Sequence, residues 1–568
     1  MFKRDRKNFT IEDGLLVTYY PISFNDKSIN KIKKCIEDSY LTISGVYIEN
    51  GELKFALKES FVNEMEAKEK TTTSEIMNMM REESTENSLQ KNIEFLPYGF
   101  DVNEELNSHG LDTDDLCIYV DCPYKPEPEL RVISRKKESA LEELAYIQNT
   151  LSSSRQIYGV SQGDFVVSYL LNPFYVKLCN EEIVLANISL NLYINNFAIV
   201  TVKIPLKNID ADLLSSSNID ECISEIKLPA NRFDTTEEFK NITDLNIPEG
   251  VGTIRRIVHV YIESIKGRKR IETLGLDCFH NVMLARYSEQ TNSLKDASNN
   301  LKRFIYKTLN APVNDDRNHI EGVKEFYENA YWGNNNYRFY FSKRGGCLSI
   351  VSADLLKKIR KRFDSEICCT DNNLICNEAF RTINFDIDYA IHIFILKFSN
   401  MKATYWNTAY RSHNQQQITK NKFNYLKTEN MILEMQERCY GSVYELISKM
   451  QELMPYYIKE DLLQRKIRNV ESLIEFDKEK RINRQQLVIS LIGLLVTIFI
   501  GLPMVKQTLI TIKSIFSIGD IPYVTLEGFS FCIWIVTIAL IIILSFGYKI
   551  ISGIKHVALF FVHLPYSR

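Results

Sequence analysis

"LVISLIGLLVTIFIGLPMVK", Leu487 to Lys506, interrupts a chain that elsewhere mixes charged and apolar residues as a water-exposed protein does. From Leu487 to Val505 no charge appears for 19 residues, and from Gly528 to Tyr548 none appears for 21. Runs of that length match the roughly 20 helical residues that cross about 30 Å of hydrocarbon, so two transmembrane helices are predicted. Lys478, Lys480, Arg481 and Arg484 precede the first run, and Lys549, Lys555 and Arg568 follow the second. By the positive-inside rule both flanks are cytoplasmic and the connecting loop lies outside. The expectation is a multi-pass protein of the inner (cytoplasmic) membrane with both termini in the cytoplasm.

Helical spacing sharpens the first run. Asn483, Gln486, Ser490, Gly493, Thr497, Gly501 and Met504 recur at steps of three or four, a small or polar stripe on an otherwise branched-aliphatic helix. Such a stripe suits close packing of two membrane helices, or a water path at the centre of a ring of copies. Upstream, residues 456–486 contain no Pro or Gly, and Leu463, Ile467, Val470 and Ile474 are spaced four, three and four. One helix from about residue 457 to 505 is predicted, roughly 70 Å long at 1.5 Å per residue.

A cytoplasmic α/β region, a very long helix entering the membrane, a short outer loop and a second span near the C-terminus resemble the CorA-like divalent-cation transporter superfamily. The similarity covers mainly residues 423–548. The family's Gly-Met-Asn tripeptide is not retained: the position reads Gly501, Leu502, Pro503, Met504, Val505, and no asparagine follows Asn483. Pro503 is expected to end or bend the helix there. The resemblance implies a pentameric funnel whose pore is lined by Asn483, Gln486, Ser490, Thr497, Gly501 and Met504, with Mg²⁺ as a cofactor or cargo.

The long region before the spans is similar instead to the membrane effectors of type III CRISPR systems. That branch implies a ligand-gated channel in antiviral defence, opened by a nucleotide messenger such as adenylated S-adenosylmethionine. A divalent-cation transporter with an altered filter, and a membrane-anchored sensor without a pore, remain open. The partners implied are further copies of the chain, the lipid bilayer and a small nucleotide-like ligand.

The whole chain fits this outline. With 568 residues, 45% hydrophobic and 25% charged, it can bury more than one core. A net charge of −3 gives no general attraction to nucleic acid, so no direct nucleic-acid partner is expected. The 12 cysteines are scattered without a C-x-x-C pair, which fits reduced thiols. The expected division is an α+β sensory region over 1–375 with a linker within 59–91, a helical stalk over 376–486, spans at 487–505 and 528–548, an external loop at 506–527 and a tail at 549–568.

Within the sensory region, hairpins are expected through Asn50-Gly51, Asn195-Asn196 and Gly345-Gly346, and another over residues 254–274 through Lys266-Gly267. A helix is expected over 138–154. Helical spacing returns over 280–330 and again after 375.

Six cations, Arg255, Arg256, Lys266, Arg268, Lys269 and Arg270, fall on that last hairpin and form a phosphate candidate against the plainer reading of a solvated tip. Tyr337, Arg338, Phe339, Tyr340, Lys343 and Arg344 combine stacking rings with cations, as a purine site would, although strand alternation explains them too. Asp112, Asp114 and Asp115, and Asp315 with Asp316, offer hard oxygen ligands without EF-hand spacing. Gly159-Val160-Ser161-Gln162-Gly163 matches a nucleophile elbow, but a helix is predicted where that motif needs a strand. No enzyme is expected.

Overall fold

The computed structural model describes residues 9–24, 29–49, 52–67, 69–70, 74, 116–121, 129–158, 167–193, 197–210, 214, 222–229, 239–241, 253–265, 271–273, 279–310, 320–342, 346–366, 372–408, 415–439, 441–453, 456–516, 528–536 and 539. In chain order the elements are β1 (Thr10–Phe24), α1 (Ile29–Glu37), β2 (Thr42–Glu49), β3 (Glu52–Leu57), β4 (Leu116–Asp121), β5 (Glu129–Ser134), α2 (Arg135–Tyr158), β6 (Val167–Leu178), β7 (Ile183–Leu192), β8 (Phe197–Asp210), β9 (Ile223–Lys227) and β10 (Lys240–Asn241). There follow α3 (Thr253–Ser264), β11 (Ile271–Thr273), β12 (Phe279–Tyr287), α4 (Asn299–Asn310), α5 (Ile320–Asn329), β13 (Tyr331–Gly333), β14 (Tyr337–Phe341), β15 (Gly346–Val351), α6 (Ala353–Glu366), α7 (Asn372–Trp406), α8 (Gln415–Arg438), α9 (Ser442–Leu453) and α10 (Tyr456–Phe516).

Two compact units result, one of residues 1–412 and 416–468, the other of 413–415 and 469–568. The first is built on a mixed 13-stranded sheet in the order β10-β9-β6-β7-β8-β1-β12-β15-β14-β13, with β2 on β6, β3 on β2 and β11 on β1. Every pairing in it is antiparallel except β12 with β15. Strand β1 is its central ruler, paired with β8 from Thr10 to Ser23 and with β12 from Ile11 to Tyr19.

Both sheet faces are covered. Leu16, Ile22 and Phe24 join one core cluster with Ile257 and Tyr261 of α3 and Leu301 and Ile305 of α4. Val17 and Tyr19 join the other, with Ile387 and Ile391 of α7, Met435 of α8 and Val443, Leu446, Ile447 and Met450 of α9. The α9 spacing of three, one and three puts those four side chains on one helical face. Ile11 packs with Leu16 although they stand five positions apart, an odd step that strict alternation puts on opposite faces. A register irregularity on either side of Asp13 switches the alternation, so Asp13 ends on the α7 side.

The expected hairpins at Asn50-Gly51, Asn195-Asn196 and Gly345-Gly346 correspond to the β2–β3, β7–β8 and β14–β15 pairs, and the 138–154 helix lies within α2. Two expectations are corrected. Residues 254–264 form α3 rather than a strand, because Ile254, Ile257, Val258, Tyr261 and Ile262 follow a helical period and are all buried. Residues 279–287 are strand β12, whose pleat serves both faces of the sheet, not the start of a helical stretch.

The membrane reading is also corrected. Among the described residues no helix is long and apolar enough to cross a membrane, so the two-span fold and the multi-pass inner-membrane location are not supported. The apolar run at 487–505 lies inside a longer helix. That helix, α10, has 61 residues, passes through Pro503 without ending and takes in Lys506 and Lys513. In the second run, residues 528–536 and 539 are helix, and the remainder of that run lies outside the described residues. Within that unit Gly501 has a packing role: a Cβ there would come within 2.9 Å of the Trp534 indole nitrogen.

Gly14 is the tightest backbone position beside Asp13. A Cβ would stand 3.0 Å from both the Met283 carbonyl oxygen and Ile11 Cγ2. Gly14→Ala is therefore expected to lower the unfolding free energy by about 1–3 kcal/mol, seen as a lower urea midpoint at unchanged slope.

Candidate functional site

The cleft that stands out on the first unit has a volume of about 470 Å³, within the range of small-molecule sites. Helix α2 supplies one wall through Arg135, Glu138, Ser139, Glu142, Glu143 and Tyr146. Helix α7 supplies the facing wall with Cys376, Asn377, Phe380 and Arg381, and strands β1, β7 and β8 provide the floor. The sheet register sets that floor: Asp13 pairs with Lys207, and Leu15 with Pro205, across β1 and β8.

Charges in the cleft come as pairs. Lys203 Nζ lies 2.5 Å from Glu143 Oε1, with both side chains nearly buried, and 4.0 Å from the centre of the Tyr146 ring. Asp13 receives Lys207 and also Arg286 at 3.3 Å. The Cys376 thiol donates to Asp13 Oδ2 at 3.8 Å. Arg381 and Glu142 meet at 4.0 Å, and each side chain is about two-fifths exposed, at 41% and 43%. Ser139 Oγ donates to Asn187 Oδ1 at 2.7 Å, tying α2 to β7.

Behind Tyr146 lies a second polar layer. Asp388 of α7 accepts hydrogen bonds from Tyr146 Oη at 2.7 Å and from Tyr19 Oη of β1. One helical turn on, His392 Nδ1 shares a 2.7 Å hydrogen bond with Tyr193 Oη. Its ring stands edge-on to Tyr19 at 5.6 Å, and its Nε2 is buried with no hydrogen-bond partner.

Burial governs how these groups titrate. It pushes the Asp388 carboxyl up, against the opposing pull of Lys203 and the two tyrosine donors. It holds the Tyr19 hydroxyl well above its ordinary range, and Asp388 adds to the effect. The His392 imidazole is driven down to about 3, first by burial and then by Lys203. Burial, with Asp13 beside it, pushes the Cys376 thiol up to about 12. A thiol so placed stays protonated at neutral pH and is a poor nucleophile. On Glu142 burial also raises the acid; Arg381 opposes it, while Glu138 and Glu143 reinforce it.

None of the expected site residues falls in this cleft. Arg255 and Arg256 sit half-buried on α3 rather than on a hairpin, and Lys266, Arg268, Lys269 and Arg270 lie outside the described residues. The Tyr337–Arg344 set is split by the two-residue alternation of β14. Phe339 packs on one face of the sheet and Tyr340 on the other. Arg338 is buried with its guanidinium 4.1 Å from the Tyr331 ring and 4.8 Å from that of Tyr327, while the Tyr337 ring lies tilted against Trp332 with centroids 5.8 Å apart. Lys343 and Arg344 lie outside the described residues, as do the two aspartate groups and the Gly159–Gly163 motif. On α10, Asn483, Gln486, Ser490 and Met504 are exposed, whereas the Thr497 side chain is outside the described set. Among the described residues no group of three or more His, Cys, Asp or Glu side chains is placed to hold a metal ion.

The cleft went unread because its residues come from β1, α2, β8 and α7. Two signals were nonetheless present: Asp388 and His392 intrude on the otherwise apolar run "DYAIHIFIL", and Lys203 sits mid-strand in "AIVTVKIPL". No protein-family model, curated protein or solved structure matches this chain.

His392 gives the fold an acid sensitivity of definite sign. Its folded-state value lies below the unfolded one, so its contribution is present above about pH 6.5 and is lost as pH falls toward 3. His392→Gln is expected to flatten the fall of melting temperature between those limits, measured by thermal unfolding across pH.

Proposed function

We propose that the first unit is a ligand sensor that works by binding alone, with the α2–α7 cleft as its receptor site and α10 as its output. The observation that carries this reading is the Tyr146–Asp388 hydrogen bond. Tyr146 lines the cleft, while Asp388 belongs to α7, a helix that shares one apolar cluster with α9. Helix α9 ends at Leu453 and α10 begins at Tyr456. A ligand that displaces Tyr146 therefore acts on α7 directly, and α7 meets α10 where Lys466 lies 5.6 Å from the centre of the Tyr405 ring.

Binding shifts such a helix only by its different affinity for the two arrangements. The cleft favours binding over catalysis because the described residues that line it include no histidine, and the Cys376 thiol is held near 12. Sensing is what this proposal keeps from the sequence reading. Among the described residues no phosphate cluster is assembled to support the nucleotide messenger or the antiviral setting, and no membrane step is part of the proposal.

A ligand-free test uses a side-chain wedge. Ser139→Trp fills the cleft from α2, while Leu141→Trp places the same ring on the exposed side of that helix. Hydrogen exchange of the full chain is expected to quicken in α7, α9 and residues 456–468 for the first variant only. Identical exchange in the two variants would overturn the sensor.

A further inference from the structure

The charges that line the cleft indicate what it takes. Among the described residues four are acidic, Asp13, Glu138, Glu142 and Glu143, and four basic, Arg135, Lys203, Lys207 and Arg381. Glu143 with Lys203 and Asp13 with Lys207 are close pairs in poorly exposed surroundings. Drawing Lys203 to a ligand takes from Glu143 its close cation, and drawing Lys207 leaves Asp13 with the longer Arg286 contact, both costly where exposure to water is low. Glu142 with Arg381 differs. It is the loose pair, at the 4.0 Å limit and about two-fifths exposed on both sides, and it spans from α2 to α7.

A molecule carrying both signs can enter there without orphaning a charge. Its cation replaces Arg381 beside Glu142, its anion replaces Glu142 beside Arg381, and one long contact becomes two short, charge-assisted ones. The planar guanidinium suits a carboxylate bidentately. On the other side a cation meets Glu142 where Glu138 and Glu143 crowd it with like charge, so an ammonium relieves a repulsion already present. Phe380, Leu15, Val184 and Pro205 offer apolar surface to the rest of the molecule.

We infer that the cleft binds a small zwitterion of the amino-acid type, its ammonium on Glu142 and its carboxylate on Arg381, with an apolar body against Phe380. This deepens the sensor reading and rests on it only for the choice of cleft. By prising Glu142 from Arg381 the zwitterion separates α2 from α7 next to the Tyr146–Asp388 link, which gives the sensor its trigger.

The test is calorimetric titration of the full-length protein with L-leucine, L-phenylalanine and L-glutamine, each beside its amide, which keeps only the cation, and its N-acetyl form, which keeps only the anion. At least one free amino acid is expected to bind, and both of its blocked forms to bind at least about tenfold more weakly, the ratio that about 1.4 kcal/mol produces. Arg381→Met and Glu142→Gln should each abolish the preference over one blocked form, the N-acetyl form recovering parity in Glu142→Gln and the amide in Arg381→Met. Melting temperatures near wild type show that these exposed substitutions leave the fold intact. A blocked form that binds as tightly as its parent in the wild type, or no heat from any free amino acid up to about 10 mM, beyond a millimolar dissociation constant, overturns the zwitterion. The two proposals fail separately. A wedge response from Ser139→Trp without amino-acid binding keeps the sensor and rejects this ligand, whereas binding without any exchange change in α9 keeps the ligand and rejects the sensor.

Discussion

A carboxylate buried between a sheet and a helix is costly unless its lone pairs are taken, and Asp388 is the place where this chain meets that constraint. Two tyrosine hydroxyls from different elements converge on it, Tyr19 from β1 and Tyr146 from α2, while Lys203 from β8 lowers the cost of its charge. Removing any one of these leaves a charge or donor short in a closed space, a loss of about 1–3 kcal/mol for each unsatisfied group. The positions of α2 and α7 against the sheet are thus fixed by one shared acceptor, and the cleft is the gap those two helices leave.

The sheet makes that convergence possible. Strand β1 pairs along nearly its whole length with β8 and β12, so the irregularity at Asp13 changes which face each residue serves. Before it, Ile11 belongs to the core on the α3 and α4 side; beyond it, Val17 and Tyr19 point toward α7. Without the switch Asp13 would face the apolar helices opposite, away from Cys376 of α7, which now joins its cross-strand neighbours Lys207 and Arg286 around it. Gly14 accepts the close approach of the Met283 carbonyl that this path requires. Backbone geometry at two residues therefore decides the chemistry of the cleft floor.

Local signals were legible in the sequence and long-range ones were not. Asn50-Gly51 sits between two short alternating runs and makes a hairpin whatever surrounds it. "TIRRIVHVYIES" held a helical period in Ile254, Ile257, Val258, Tyr261 and Ile262, but its β-branched residues favoured a strand until burial on the sheet selected the helix. The apolar residues at 487–505 invited a count of length alone, although helix continuity through Pro503 and the packing of Gly501 on Trp534 depend on neighbours outside that window. Asp13 and Asp388, joined here through β1 and α7, stand 375 positions apart (388 − 13), beyond any spacing rule. What the sequence could show was the polar intrusion itself: Asp388 and His392 one turn apart in an apolar helix mark a place where something must satisfy them.

The strength of the latch sets how a sensor of this design can respond. A hydrogen bond to a charged group is worth about 1.5–3 kcal/mol net, the same range as the coupling free energies, about 1–3 kcal/mol, that link separate sites in responsive proteins. A latch much stronger than this would hold α7 against any small ligand, and a much weaker one would let it drift without one. With Tyr146 shared between the cleft wall and Asp388, ligand and latch compete for one side chain. Moving the helix then costs about as much as a small molecule can supply. The loose Glu142–Arg381 pair adds little to hold the cleft closed, since exposed ion pairs contribute roughly 0–1 kcal/mol. It serves as the point of entry, and the buried Tyr146–Asp388 bond beneath it as the point of decision.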